Sequence, residues 1–291
     1  MSKSALASIV GRPSAGKSTL LNRFCGEMVS IVTPLPQTTR NKIRGIVNRP
    51  QGQIVFLDTP GFHDSEKKFN QQLRSLVQNA LDESDMVLYV IDRSRAPGQE
   101  ERELLSLLDQ VSQPVVIALN KCDLPAHPGW QEFLHQPLYE KAKILEISAQ
   151  LDQGLEPLLD LLYDLAPEGE PYYPEEYYTD QEPVFRISEV IREQAMLRTR
   201  EEIPHAIYVE IADLEEDQEQ NQLWIRAFLV VERESQKGIV VGKGGEGIKK
   251  IRQESQKILG RIFPQRIHLD LRVKANPKWR NKDQIIRKLL H

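Results

Sequence analysis

Residues Gly11-Arg12-Pro13-Ser14-Ala15-Gly16-Lys17-Ser18 follow a short apolar run and lead into a helical stretch over 19–24. In that setting glycines let backbone N–H groups wrap a polyphosphate, and the lysine bridges the β- and γ-phosphates as a point charge. The serine hydroxyl ligates Mg²⁺, and the helix presents its positive end to the anion. By average residue usage, the four fixed positions of this motif would match by chance in about one chain of this length in a hundred. The strand-loop-helix context makes the match more specific still.

A second motif, Asn120-Lys121-Cys122-Asp123, closes a later apolar run and bears on which base is bound. An ionised Asp123 accepts from the N1–H and exocyclic amine of guanine, a donor pair that adenine lacks. A site built around such a hydrogen bond rejects the wrong ligand by up to ~10⁴-fold, because its own group is left unpaired. Alone, the tetrapeptide is commonly a surface turn; at a strand end far beyond a phosphate loop it reads as guanine selection.

Asp58-Thr59-Pro60-Gly61 follows the apolar residues 54–57. Asp58 would hold Mg²⁺ through water, and the Gly61 N–H would meet the γ-phosphate, so this loop could sense that phosphate. Between the two loops, Gln37-Thr38-Thr39-Arg40 offers a hydroxyl to the metal, with Thr39 preferred over Thr38. Ile147-Ser148-Ala149, after the last run, reads as a backbone contact to guanine O6. The metal set is therefore Ser18, Thr39 and Asp58, and the catalytic set is Lys17, Thr39 and Gly61. Phe62 is grouped with the nucleotide loop that it follows.

These loops need a frame. Apolar runs at 6–10, 45–47, 54–57, 86–91, 115–119 and 144–147 alternate with helical spacing at 69–81, 102–108 and 155–165, a pattern for a mostly parallel sheet wrapped by helices. Active loops then lie at the carboxyl ends of the strands. Residues 166–183, rich in Pro, Glu and Tyr, read as an extended linker and a domain boundary. Beyond it come a helix at 185–198, strands at 206–211 and 224–231, a glycine cluster, a basic helix at 247–262, a strand at 267–273 and a last helix near Ile285.

At 291 residues and 40% hydrophobic content, the chain has apolar material for two modest cores. Its net charge of -4 hides opposed blocks. Residues 1–170 carry 17 Lys+Arg against 22 Asp+Glu, 171–234 carry 6 against 16, and 235–291 carry 15 against 4. A basic tail on an acidic protein marks a polyanion site confined to one region. Cys25 and Cys122 are far apart in sequence and in no metal-ligand spacing, so neither a disulfide scaffold nor a zinc site is suggested, and a reducing compartment is expected. The first ten residues hold too short an apolar run for a signal peptide, and no stretch approaches a membrane span.

Within the basic tail, Gly242-Lys243-Gly244-Gly245 precedes the helix that carries Lys249, Lys250, Arg252, Lys257 and Arg261. A G-x-x-G loop can press its backbone against nucleic-acid phosphates while an apolar groove takes unstacked bases. The motif alone is more often an ordinary turn. The tail's charge and the aromatic-basic run Lys274-Ala275-Asn276-Pro277-Lys278-Trp279-Arg280 point the same way.

Taken together, these residues make the chain resemble the Era family of the TrmE-Era-like GTPase superfamily, bacterial proteins that couple a Ras-like domain to a type II KH domain. The likeness spans nearly the whole chain and rests on 11–18, 37–41, 58–61, 120–123, 147–149, the segment Tyr172-Tyr173-Pro174-Glu175-Glu176-Tyr177-Tyr178-Thr179-Asp180, and 242–245. It implies an α/β Ras-like P-loop GTPase domain over 1–166, with helices on both faces of a mostly parallel sheet. A Pro/Tyr-rich linker over 167–183 and an α+β type II KH domain with a C-terminal helix over 184–291 follow. The function implied is a GTP-binding, slowly hydrolysing switch with Mg²⁺ that grips the 3′ end of 16S ribosomal RNA and assists 30S subunit assembly. A cytoplasmic monomer, in part peripheral on the inner face of the cell membrane, is implied as well. In the family the segment before G-x-x-G is helical, whereas residues 239–241 by themselves read as strand.

Two residues stand out against this background. Phe62 stands where Ras-like proteins place a water-orienting Gln, a feature the family shares, so hydrolysis should be slow. Ser14 stands where the family usually has Asn, whose carbonyl would hold a potassium ion, so potassium should matter less here. A GTPase serving an RNA-modification complex, its C-terminal half docking protein, is the competing reading, and the G-x-x-G loop argues against it. An RNA-binding structural protein with a vestigial P-loop is disfavoured by the intact nucleotide motifs.

Overall fold

The computed structural model describes residues 2–35, 38–61, 68–134 and 142–289; Gln37 and Phe62 lie outside them. The chain divides into two compact units, one built from most of the residues up to Asp180 and one from Gln181–Lys288.

The first unit is a six-stranded sheet of β1 Lys3–Val10, β2 Ile43–Arg49, β3 Gly52–Asp58, β4 Met86–Asp92, β5 Val115–Asn120 and β6 Lys143–Glu146, in the order β2-β3-β1-β4-β5-β6. Only β2 runs antiparallel to its neighbour. Helices α1 Lys17–Cys25, α2 Lys68–Glu83, α3 Gln99–Leu108, α4 Trp130–Phe133 and α5 Leu155–Leu165 connect and follow the strands. β4 is buried along its whole length, which is why it reads as an unbroken apolar run rather than an alternating one. Tyr89, Ile91, Leu104, Ile117 and Trp130 form part of one core cluster, and Ile46, Val55, Leu57 and Ala80 form another. The parallel strands leave the loops after β1, β3, β4, β5 and β6 at one edge of the sheet, where a ligand must bind.

The extended segment 167–180 is no loose tether. Ser4 N–H donates to Pro167 O, Tyr173 N–H to Gln53 Oε1 and Ile46 N–H to Tyr178 O, while Arg44 pairs with Asp180 at 2.7 Å. Backbone groups of β2 and its surroundings supply much of this binding, and composition carries no trace of them.

The second unit orders α6 Pro183–Met196, β7 Tyr208–Asp217, β8 Gln222–Val231, α7 Glu234–Val241, α8 Glu246–Ile262, β9 Arg266–Ala275 and α9 Asp283–Leu289. Its sheet runs β7-β8-β9, with β7 and β8 antiparallel and β8 and β9 parallel. α8 buries Ile251, Ser255 and Leu259, one stripe at four-residue spacing. Residues 239–241 end a helix, as the family resemblance implied and against their own β-branched preference. Gln236 explains the outcome: its buried side chain accepts from the N–H groups of Glu232 and Arg233, both at 3.0 Å, and so caps the start of α7.

α7 and α8 approach so closely that a Cβ on Gly247 would lie 2.5 Å from Val240 O, whereas a Cβ on Gly260 in the same helix meets open space. Gly247→Ala should therefore destabilise the second unit by about 1–3 kcal/mol despite the better helix propensity of Ala. Gly260→Ala should stabilise it by about 0.5–1 kcal/mol. Urea unfolding of the two variants checks the opposite signs.

Candidate functional site

The phosphate loop spans the turn from β1 into α1. Gly16 has φ 99°, a left-handed conformation that costs glycine little, and a Cβ there would stand 2.2 Å from the side-chain nitrogen of Asn120. Ser14 is left-handed too, at φ 63°, a region that asparagine enters more readily than serine. Lys17 Nζ donates to Gly11 O at 3.0 Å and Arg12 O at 3.1 Å, so the loop itself positions the ammonium. Burial pushes the lysine pKa down to about 8, with Asp58 and Glu100 opposing the shift. Arg12 belongs to the loop by its backbone, but its guanidinium is engaged elsewhere. It pairs with Glu101 of α3 at 2.9 Å and donates to Ala96 O at 3.0 Å, both side chains being buried.

Hydroxyls converge on Asp58, which is fully buried. Ser18 Oγ donates to Asp58 Oδ2 at 2.7 Å, Ser30 Oγ donates to the same oxygen at 2.9 Å, and Thr39 Oγ1 lies 3.0 Å from Ser18 Oγ. Asp58 Oδ1 is buried with no hydrogen-bond partner among the described residues. Burial raises the carboxyl pKa above its usual range against the pull of Lys17 and the hydroxyls. One buried carboxylate with an unsatisfied oxygen, set beside hydroxyls, suits a small hard cation that keeps its waters and takes phosphate oxygens. The residues therefore fit Mg²⁺: Ser18 and Thr39 offer hydroxyl oxygens, and Asp58 Oδ1 can accept from the ion's water. Gly61 lies against the phosphate loop, where a Cβ would come within 2.7 Å of Pro13 Cα.

At the end of β5, Asn120 Nδ2 donates to Ala15 O at 2.8 Å and Asn120 Oδ1 accepts from Ala149 N–H at 3.0 Å. Lys121 Nζ reaches Asp92 Oδ2 at 2.7 Å. Burial works against ionisation of Asp92, but Lys121 and Ser94 outweigh it and hold the pKa below its usual value. Cys122 contributes through its backbone, donating to Ile147 O at 3.0 Å. Asp123 Oδ1 accepts from Ser148 Oγ at 2.5 Å. The N–H groups of Ser148 and Ala149 donate to Gln153 O and Asn120 Oδ1, so a bond to guanine O6 would share the Ala149 donor with Asn120.

Sequence reasoning missed Ser30, Asp92 and Glu101. Asp92 could have been found, since it closes β4 in register with Asn120 at the end of β5. Ser30 and Glu101 belong to no motif.

In the second unit, Gly242, Gly244 and Gly245 all take positive φ, at 73°, 62° and 81°, conformations that glycine adopts without strain. Lys243 and Gly244 are solvent-exposed, and Ile239 on the last turn of α7 is 63% exposed, an apolar surface beside the glycines. The five basic residues of α8 are all exposed but do not form one patch. Lys249 and Arg252 share one flank, and Lys250, Lys257 and Arg261 another. Lys257 and Arg261 lie about 16 and 22 Å along the helix from its first residue, far from the loop. Trp279 corrects the reading of 274–280 as an aromatic-basic surface: it is wholly buried, its Nε1 donates to Ala206 O at 2.8 Å, and its ring meets Tyr208 edge-on. In the same run Lys274 pairs with Glu210 and Arg280 with Glu232.

Fold and site together define a Ras-like P-loop GTPase domain followed by a KH domain. The family model for 50S ribosome-binding GTPases matches residues 7–121, and that for the KH domain matches 202–280. The chain is 53% identical to GTPase Era of Treponema denticola, covering 98% of this chain and 99% of that one, and 44% identical to GTPase Era of Borrelia hermsii, covering 99% and 100%. It superposes on a point variant of Aquifex aeolicus Era bound to GDP·AlF4⁻ with a TM-score of 0.93, at 33% identity over 98% of each chain. An Era complex with MgGDPNP and nucleotides 1506–1542 of 16S ribosomal RNA matches with a TM-score of 0.93 at 33% identity, covering 99% of this chain and 98% of that one. The chain belongs to the Era family of GTPases.

A lysine lowered to about 8 and bound by anionic phosphates should recover its proton on binding. At pH 8 the phosphates of GDP are ionised and guanine is still neutral, so GDP binding should take up about half a proton. Above that pH, affinity should fall as the free protein loses the charge. Calorimetry in buffers of different ionisation enthalpy measures the uptake; binding without any would show Lys17 already fully charged.

Proposed function

We propose that this chain is a guanine-nucleotide switch that grips the 3′ end of 16S ribosomal RNA and assists assembly of the 30S subunit. The observation that carries the reading is the joint presence of converging nucleotide loops and an exposed, positive-φ Gly242-Lys243-Gly244-Gly245 loop beside the exposed Ile239. The description of the matching GTPase family names the 50S ribosome, whereas the RNA-bound relative carries 16S RNA. That relative aligns over both halves of this chain, so we favour the small subunit. The working limits are a GTPase domain over 1–166, a connecting segment over 167–183 and a KH domain over 184–291, acting as a monomer in the cytoplasm. Among the described residues no helix is long and apolar enough to cross a membrane, so any membrane contact we assign is peripheral, at the inner face.

In this reading the N–H groups of the phosphate loop and Lys17 hold the β- and γ-phosphates, and Asp123, steadied by Ser148, accepts from guanine. Mg²⁺, when bound, neutralises charge on the phosphates. Thr39 and Ser18 would offer it hydroxyl oxygens, and the Gly61 N–H would donate to the γ-phosphate, so that loss of that phosphate would release both loops. No glutamine follows Gly61 to orient the attacking water. Phe62 cannot replace it, which makes turnover slow.

Lys243→Asp combined with Gly244→Asp places like charge against the RNA phosphates and bars close approach of the backbone. We expect at least a tenfold loss of affinity for an oligonucleotide of the 16S 3′ end, with GTP affinity unchanged. Equal RNA affinity for wild type and variant in filter binding at fixed salt would overturn the KH assignment.

Ser14 offers a hydroxyl on a short stem where relatives would use an amide carbonyl, so potassium stimulation of turnover should be weak in the wild type. Ser14→Asn should raise it, helped by the easier left-handed backbone of asparagine. Turnover in potassium against sodium buffer decides; strong stimulation of the wild type, unaltered by the substitution, would show that other groups hold the ion.

A further inference from the structure

Ser30 lies outside every motif, yet it is buried and its hydroxyl is spent on Asp58. Its placement is over-determined. Asn22, on the helix that begins at the phosphate loop, accepts from the N–H groups of Val29 and Ser30 at 2.9 and 2.8 Å and donates to Ser30 O at 2.7 Å. Three hydrogen bonds from one side chain thus fix the backbone that aims Ser30 Oγ. Asp58 Oδ2 then accepts two hydroxyl donors, Ser18 from one segment and Ser30 from another, and the carboxylate plane cannot turn without breaking one of them. Oδ1 is left as the oxygen without a partner among the described residues.

We infer that Ser30, held by Asn22, is a positioning residue for the magnesium site: it locks the rotation of the Asp58 carboxylate so that Oδ1 alone is presented to the metal's water. The inference deepens the magnesium reading of Ser18, Thr39 and Asp58 and rests on it. Ser18 gives its proton to Asp58 and accepts from Thr39 Oγ1, which leaves one lone pair for a cation, so the two serines would do different work on one oxygen: Ser18 would touch the metal and Ser30 touches only the carboxylate.

Partners that orient metal-binding groups typically change metal affinity or activity 10–100-fold when removed. The test measures the dissociation constant of GDPNP in EDTA and in millimolar Mg²⁺, the ratio of the two being the magnesium coupling. Ser30→Ala should reduce that ratio about tenfold while leaving affinity in EDTA unchanged, and Ser30→Thr, which keeps the hydroxyl, should restore it. Asn22→Ala should reduce the ratio too, and the double variant should lose no more than the larger single effect, because both act through one hydroxyl. Equal weakening in EDTA and in Mg²⁺ would mean that Ser30 is merely structural, and an unchanged ratio would mean that it does not position the carboxylate. Either result overturns the inference. A wild-type ratio near one would instead sink the magnesium reading itself, so the two failures are distinguishable.

Discussion

One amide side chain joins three loops, reaching one partner 105 residues away in sequence and another 29 residues away. Asn120 donates to the carbonyl of Ala15 in the phosphate loop and accepts from Ala149 after β6, while standing itself at the end of β5. The contact is possible only because Gly16 carries no side chain, since any Cβ would overlap the amide nitrogen. Asn120 is 2% exposed, so losing either partner would leave a buried polar group unsatisfied, a cost of about 1–3 kcal/mol. The loops assigned to phosphate and to base are thereby tied into a common frame by the protein's own hydrogen bonds.

Charge in this frame is paired within the protein itself. Arg12 meets Glu101, Lys121 meets Asp92, and the phosphate loop's own carbonyls hold Lys17. Truncating one member of a buried pair such as Arg12 and Glu101 exposes the other to the full desolvation penalty, about 3–5 kcal/mol. Lys17 and Asp58 are the incompletely compensated charges, each shifted toward neutrality by burial. They are also the two that phosphate and metal would compensate. Hydrogen bonds within the protein thus fix the residues proposed to hold the base, whereas the two charges proposed to meet phosphate and metal are only partly compensated.

The frame was largely legible in the sequence because parallel strands buried on both faces leave unbroken apolar runs, and the loops that follow them carry fixed residue types. Lys17, Asp58 and Asn120 could be read for that reason. Ser30 could not: its role depends on a hydrogen bond to a residue 28 positions away, and serine is common in loops. Trp279 misled because a tryptophan among lysines looks the same in sequence whether its ring faces solvent or, as here, closes a core against Tyr208. The helix ending at Val241 defeated local propensity because the cap from Gln236 and the packing against α8 both lie outside the three residues that favour a strand. The segment 167–180 gave away its extended shape through proline but not its attachment to β2, which joins one backbone pair, Ile46 N–H to Tyr178 O, to bonds from the side chains of Arg44, Asn48 and Thr179.

The acidic block that masks the basic tail in the net charge has a place in the same logic. Five of its sixteen carboxylates fall on the edge strand β7, four of them, Asp213, Glu215, Glu216 and Asp217, within its last five residues. Charges along an edge discourage pairing with another chain. They also repel a polyanion, and unlike charges scattered over the surface they do so along one border of the domain. Lys274, on β9, is neutralised by Glu210 of β7, so the sheet retains little attraction for phosphate at that point. The exposed charges of Lys243, Lys249, Lys250 and Arg252 at the glycine loop and the first turns of α8 have, by contrast, only Glu246 as an ion-pair partner in the helix, against Lys249 at 3.4 Å. At physiological salt the Debye length is about 8 Å, so each group acts mainly on phosphates that pass close to it. The separation of the two charge blocks along the chain thus becomes, within one domain, a separation between a basic surface at the glycine loop that suits a polyanion and an acidic β7 edge that would repel one.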